Sequence, residues 1–397
     1  MLFDKTIRIV LMHKDIPVLE GEYDPDRHGF RSVRSPIHPE HLPAGTARHR
    51  KANLSRLNDW LIWRGIPKYR VGLEELLERL DIEDTGELLE EEYALSVSDH
   101  YWLRPKKDVH TYAELNFFER PFDDRSFAIA SFRKGSYSVK ESAKHTPDNT
   151  LCGFHRKAWI RREGKLYLFK GSTGYHQQEC VNEAMASSIA RRLGIAAVPY
   201  EVTVFEGQLV SVCPNFLDLS HDLITAGNAI LSLGKVKEET FESLIEVMEQ
   251  NGISNARREL DELLIIDYLT LNTDRHSQNH GIIVNADTNE WITHAPIFDT
   301  GTSFGCFAKT SELKDLETHH TCKFLGRRHL LHDDLLEYVS DLSRFDLSAL
   351  DDAPNEFFGR LLKWREVTGI PEERAEAIAN LLARRIRSLK EAQLKVR

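Results

Sequence analysis

The stretch Asn272-Thr273-Asp274-Arg275-His276-Ser277-Gln278-Asn279 carries the clearest chemical signal in the chain. It follows directly on residues 261–271, where apolar side chains recur with the 3.6-residue period of a helix. The octet therefore lies where that helix ends. A run of Asp, Arg, His and Asn buries poorly, so it is expected at the surface or lining a cleft, on a rigid helical support. Its composition suits phosphoryl transfer. That reaction needs a carboxylate to orient the attacking hydroxyl and take its proton, and hard oxygen ligands to hold Mg²⁺ on the phosphates. Asp274 offers the carboxylate, and Asn279 a metal ligand on the same loop. A second metal-binding carboxylate is expected on a following turn, and Asp299-Thr300-Gly301 closes the next strand pair.

The five-residue interval from Asp274 to Asn279 is that of the catalytic loop of protein kinases. The same chemistry asks for a strand lysine on the phosphates and a helix glutamate to hold it. Lys170 closes the apolar run 166–169. Residues 179–193 read as a helix with Val181, Met185, Ile189 and Leu193 on one face, closed by Gly194. That helix offers Glu183, with Glu179 as the second choice. Strands are predicted at 158–160 and 166–169, turning at Glu163-Gly164, and at 200–205 and 209–213, turning at Glu206-Gly207. Ahead of the first strand, residues 146–153 occupy the position of a phosphate-covering loop, with Gly153 as their one glycine. Backbone N–H groups there would cradle phosphates. The linker Cys213-Pro214-Asn215-Phe216-Leu217 takes the place of an adenine hinge, where main-chain groups of Asn215 and Leu217, either side of Phe216, would meet the base edge.

Beyond residue 225 the pattern is mainly helical, with helices predicted at 241–249, 261–271, 333–342, 355–364 and 372–394. A hairpin at 281–285 and 291–298 is the exception. The first 125 residues are mixed: a hairpin over 7–12 and 18–19, loop over 24–50, helices at 54–63 and 73–80, and a strand at 101–103. Pro121-Phe122-Asp123-Asp124 reads as a boundary. The expected fold is α+β: an N-terminal accessory domain (1–125), then a protein-kinase-like bilobal unit with a small β-rich lobe (126–217) and a larger helical lobe (218–397).

Composition narrows the function classes. Of 397 residues, 41% are hydrophobic and 29% charged, which fits a globular protein long enough for two or three domains. The net charge of −10 argues against a global nucleic-acid footprint. The basic run between Arg27 and Lys51 reads as a solvated loop. No apolar run approaches the roughly 20 residues of a membrane span, and residues 1–14 read as a strand rather than a signal peptide. The five cysteines, Cys152, Cys180, Cys213, Cys306 and Cys322, form no CxxC pair, so neither a disulfide framework nor a zinc site is expected. A reducing cytoplasm is the expected compartment.

With these residues in view, the chain resembles the HipA-like kinases, bacterial toxin-type Ser/Thr protein kinases. The similarity lies in residues 266–279, Gly281-Ile282-Ile283, Ala295-Pro296-Ile297-Phe298-Asp299, Leu168-Phe169-Lys170-Gly171, Asn182-Glu183 and Leu193-Gly194-Ile195. It covers roughly 145–305. The resemblance implies an ATP- and Mg²⁺-dependent kinase in which Asp274 is the catalytic base, Asn279 and Asp299 hold Mg²⁺, and Lys170 contacts the phosphates of ATP. The Asp-Arg-His-x-x-Asn form is also similar to that of phosphoinositide kinases, which implies a catalytic role for His276. In some HipA-like kinases, phosphorylation of a hydroxyl in the phosphate loop silences the enzyme. Thr146 and Thr150 are the corresponding candidates here. The implied partners are a protein substrate, translation-related by family analogy, and an antitoxin-type regulator. The single-glycine loop 146–153 departs from the family's usual form.

Two other classes stay open on the sequence. One is a kinase acting on a lipid or small metabolite. The other is a nucleotide-binding pseudokinase or interaction module, although a pure binding module need not keep Lys170, Asp274, Asn279 and Asp299 together.

Overall fold

The computed structural model describes residues 7–135, 139–234, 240–324 and 327–396. It is a mixed α+β structure. Its first sheet is antiparallel, in the order Gly29–Val33, Ile16–Asp24, Ile7–His13, Tyr101–Pro105. The hairpin predicted near the start forms its centre, and alternate residues such as Ile9 and Leu11 enter a core with Leu57 and Leu61 of the helix Leu54–Ile62.

A second antiparallel sheet runs Lys157–Arg162, Lys165–Gly171, Gln208–Pro214, Glu201–Phe205. Both tight turns fall where the sequence puts them: Glu163-Gly164 and Glu206-Gly207 have positive φ at all four residues. The helix Gln178–Arg192 follows the first hairpin and is buried along most of its length. This sheet does not fold over a core of its own. Ala158, Ile160, Phe169, Val210 and Val212 pack against Leu73, Leu76 and Leu80 of the helix Leu73–Leu80, and against Phe127 and Phe132 of the helix Asp124–Phe132. Trp159 and Leu166 pack against Val10, Met12 and Trp102 of the first sheet. Residues 7–135 are thus joined to the second sheet by continuous hydrophobic cores.

The remainder is built on a larger core in which Ala256–Thr270 is central, with Leu260, Leu263, Leu264, Ile265 and Ile266 all fully buried. The helices Phe241–Gln250, Ala353–Lys363 and Glu372–Val396 surround it. The hairpin Gly281–Asn285 with Trp291–His294 forms, and gains a third strand, His221–Thr225.

The helix predicted over 333–342 does not form. A 3-10 stretch, His332–Glu337, stands in its place. The Ser340 amide, which would have closed a helical turn, donates instead to Asp261 Oδ1 at 2.9 Å, and its hydroxyl to Asp261 Oδ2 at 2.6 Å. The 3-10 turns run on to Val339, whose amide donates to Leu336 O at 3.3 Å, and at Ser340 the chain is drawn onto the central helix instead. None of the described helices is long and apolar enough to cross a membrane.

Candidate functional site

The central helix ends at Leu271, which adopts a left-handed conformation with φ 50°. The chain then turns into the octet. Arg275 is 1% exposed and shapes it. Its Nε and Nη2 form a fork on Asp267, at 2.9 and 3.0 Å, while Nη1 donates to the carbonyls of Asn279 and Phe298. Asn272 adds to this, donating to Asp267 Oδ1 at 2.9 Å and accepting the Asp274 amide at 3.1 Å. One buried ion pair therefore fixes both ends of the loop, and fastens it to the residue before Asp299.

Asp274 is half-exposed. Lys323 Nζ lies 3.2 Å from its Oδ1, and His276 Nε2 lies 3.8 Å from its Oδ2. Burial lowers the pKa of His276, with Asp274 opposing the shift. Asn279 donates Nδ2 to the Asp274 carbonyl at 2.9 Å, which leaves its Oδ1 as an acceptor. Lys323 arrives on the strand Thr321–Phe324, which pairs in parallel with Asp274–Arg275.

Asp299 also has a left-handed backbone, φ 54°. Its carboxylate meets Lys170, whose Nζ also donates to Glu183 Oε1 at 2.6 Å. Ser211 donates its hydroxyl to the other oxygen of Glu183. Burial works against the Lys170 charge, but Asp299 and Glu183 outweigh it and hold the ammonium above its ordinary range. Burial likewise pushes Asp299 up, and Lys170 and Lys157 more than reverse that. Glu179 faces elsewhere, accepting the amides of Thr173 and Gly174 at 2.8 and 2.7 Å. Asn182 straps the same helix to the Asp299 turn through the carbonyls of Gly301 and Ser303, at 2.9 and 2.8 Å. There is little room here: a Cβ at Gly301 would stand 3.3 Å from Glu179 Cβ.

Gly153 lies beside this cluster with φ 116°, where a side chain would strike Lys157 Nζ. Thr146 and Thr150 are buried. Thr146 donates to Asp148 Oδ2 at 2.7 Å, and Thr150 to the Leu95 carbonyl at 2.8 Å. In the linker, the Asn215 amide donates to Leu166 O at 2.8 Å and the Leu217 amide to Asn215 Oδ1 at 3.2 Å. The N–H groups of both linker residues are thus engaged within the chain, so only other main-chain groups are left to meet a base. Phe216 stacks obliquely on Phe298, with ring centroids 5.7 Å apart.

Three further basic residues stand near the loop, and motif reasoning passes over them. Lys157 pairs in register with Lys170 across neighbouring strands, and burial lowers its pKa. His155 is driven down to about 3 by burial. Arg70 comes from the N-terminal region and is lowered to about 10 by burial. The sequence does hold one clue, since Lys157 and Lys170 are equidistant from the turn at Glu163-Gly164. Buried cations in excess of their carboxylate partners favour a polyanion. The buried Nη1 of Arg70 and Nδ1 of His155 have no hydrogen-bond partner among the described residues. The donor set also fits a hard divalent ion, with Asn279 Oδ1 and the Asp299 carboxylate on two turns that Arg275 ties together.

A cavity of about 360 Å³ is lined by Thr273, Thr302, Phe307, Glu312 and His320 among others.

A family model described as HipA-like C-terminal domain matches residues 149–388. Among solved structures, the chain is similar to one from the complex of Shewanella oneidensis MR-1 toxin–antitoxin proteins HipA and HipB with operator DNA. The two are 13% identical with a TM-score of 0.51, over 97% of this chain and 99% of that one. The Helicobacter pylori proinflammatory kinase CtkA is 14% identical with a TM-score of 0.46, over 60% of this chain and 94% of that one. No curated protein matches the chain.

Proposed function

The chain belongs to the family of the HipA-like C-terminal domain, whose model spans more than half of it, and from that premise we propose that it is an ATP-dependent protein kinase of bilobal architecture. The observation that carries this reading is the position of Asp299. It touches the Lys170–Glu183 pair on one side, and on the other it follows Phe298, whose carbonyl is held by the same arginine that shapes the Asp274 loop. A phosphoryl donor, its metal and an attacking hydroxyl need these three groups of residues around one point.

In this reading Asp274 accepts the proton of the acceptor hydroxyl. It is exposed enough to meet an incoming protein segment, and Lys323 holds its orientation with His276 beside it. Lys170, kept charged by Glu183 and Asp299, binds the phosphates of ATP. Asn279 and Asp299 would hold Mg²⁺, which when bound offsets phosphate charge. Gly153 lets the loop approach the phosphates, and the linker at 215–217 receives the base. The acceptor is a Ser or Thr hydroxyl of a protein, with a translation-related substrate as the working choice. A regulatory protein partner is expected, as HipB is for the Shewanella protein. Thr146 and Thr150 are proposed sites of self-phosphorylation. A phosphate on either would break the hydrogen bonds that seat the loop and expel it.

The test is incubation of the purified protein with Mg²⁺ and labelled ATP, wild type beside Asp274→Asn, with label followed onto protein. Label on the wild type and none on a variant that still binds ATP is the expected result, because loss of turnover with binding retained marks a transition-state role. An Asp274→Asn protein that labels like wild type would defeat the assignment. ATP binding with no labelled protein in either case would point to a small-molecule acceptor.

A further inference from the structure

The backbone of the phosphate loop is held largely from outside the sheet that carries it. The carbonyls of Leu151, Cys152, Gly153 and Phe154 are all spoken for. Cys152 O accepts from Lys157 Nζ at 3.2 Å. The other three are bound by the segment at 70–71. Arg70 donates Nε to Gly153 O at 3.1 Å and Nη2 to Leu151 O, and the Val71 amide donates to Phe154 O at 3.0 Å. Arg70 is only 5% exposed. The next residue, Gly72, has φ 74° and lies so close to the Arg156 guanidinium that a Cβ there would overlap it. Arg156 then reaches Glu75 at 3.5 Å.

A trans peptide is planar, so a carbonyl fixed on one side fixes the following N–H on the other. Anchoring the carbonyls of 151, 152 and 153 therefore sets the directions of the amides of 152, 153 and 154. Those amides are the donors with which such a loop cradles phosphate. Their directions are set mainly by a residue some eighty positions upstream.

We propose that Arg70 is a positioning residue for nucleotide binding, and that the N-terminal region completes the ATP site by holding the loop at 151–154 in its phosphate-receiving shape. This rests on the kinase reading above. It gives the N-terminal region a part in the chemistry itself, separate from any contact with a substrate or regulator.

The experiment compares wild type, Arg70→Ala and Arg70→Lys for Mg²⁺-ATP affinity by calorimetry and for KM and kcat by labelling. Arg70→Ala should bind ATP about tenfold more weakly, with KM raised and kcat held within a few-fold. Arg70→Lys keeps one donor for the two carbonyls and should recover part of the affinity. A folded Arg70→Ala with wild-type ATP affinity, even if it melts lower, overturns the proposal. Hydrogen exchange on the wild-type protein gives a second measurement that needs no variant. Mg²⁺-ATP should slow exchange of the Val71 amide, and an unchanged rate there overturns the proposal too. A wild-type protein that binds no ATP sinks the kinase reading itself. Normal binding with no response at Arg70 or Val71 sinks only this inference.

Discussion

Lys170 contacts two carboxylates at once, and all three groups are largely withdrawn from water. The charge balance is local. Removing the lysine strands Glu183, which is 1% exposed and already raised by burial. Breaking a buried pair from one side costs about 3–5 kcal/mol, whereas replacing both partners by apolar groups is often neutral. Lys170→Met should therefore lower stability by about 3–5 kcal/mol. Adding Glu183→Leu should restore most of that loss in urea melts, while labelling activity stays absent in both. A double variant no more stable than the single would mean that the pair is not energetically coupled. A double variant that regains activity would remove Lys170 from the phosphate role.

At the scale of elements, Arg275 makes the Asp274 loop and the Asp299 turn one rigid piece. The Arg275–Asp267 pair is almost fully buried on both sides. Asp267→Asn leaves the guanidinium without its ionic partner and frees two loop carbonyls to move. It should cost about 3–5 kcal/mol by chemical denaturation and reduce kcat more than ATP affinity, because the disturbed groups face the acceptor. An Asp267→Asn protein as stable and active as wild type would refute this linkage. Asp274, Asn279 and Asp299 stood out in the sequence because their types and spacing match what phosphoryl transfer asks for, whereas Asp267, which holds Arg275, did not. The strands at 157–171 and 201–214 were legible because glycine turns bound short apolar runs. What escaped was long-range. The strand His221–Thr225 looks polar, and it forms because Gly281–Asn285 offers it an edge. The helix read over 333–342 has the right period, but Asp261, some eighty residues away in sequence, takes its Ser340 amide. Arg70 sits in an unremarkable stretch, and only the folded chain brings it to Gly153.

At the scale of the whole molecule, buried histidines should set the response to acid. His294 is pushed down to about 4, His155 to about 3 and His280 well below the ordinary imidazole range, in each case first by burial. Unfolded, each titrates near 6.5. As pH falls from about 6.5 to about 4, the unfolded chain takes up protons that the folded chain refuses, so stability falls. Asp148 acts in the opposite sense. Burial raises it to about 7, so across the same window the folded state holds one proton that the unfolded state releases. Among the described residues His332 is likewise pushed down to about 4 by burial, while Glu90 and Glu183 join Asp148 as carboxyls raised by burial; the lowered imidazoles outnumber the raised carboxyls, which leaves a net loss on acidification, bounded by roughly 1.4 kcal/mol per pH unit for each proton. The melting temperature should therefore drop steadily between pH 6.5 and 5. The loss should centre on the loop at 272–279, because His280 follows Asn279 directly and packs against His294, with ring nitrogens 3.2 Å apart. His294→Gln should flatten this part of the profile, and Asp148→Asn should steepen it. A flat wild-type profile, or variants that change the slope in the reverse sense, would show that these buried groups do not govern the acid response.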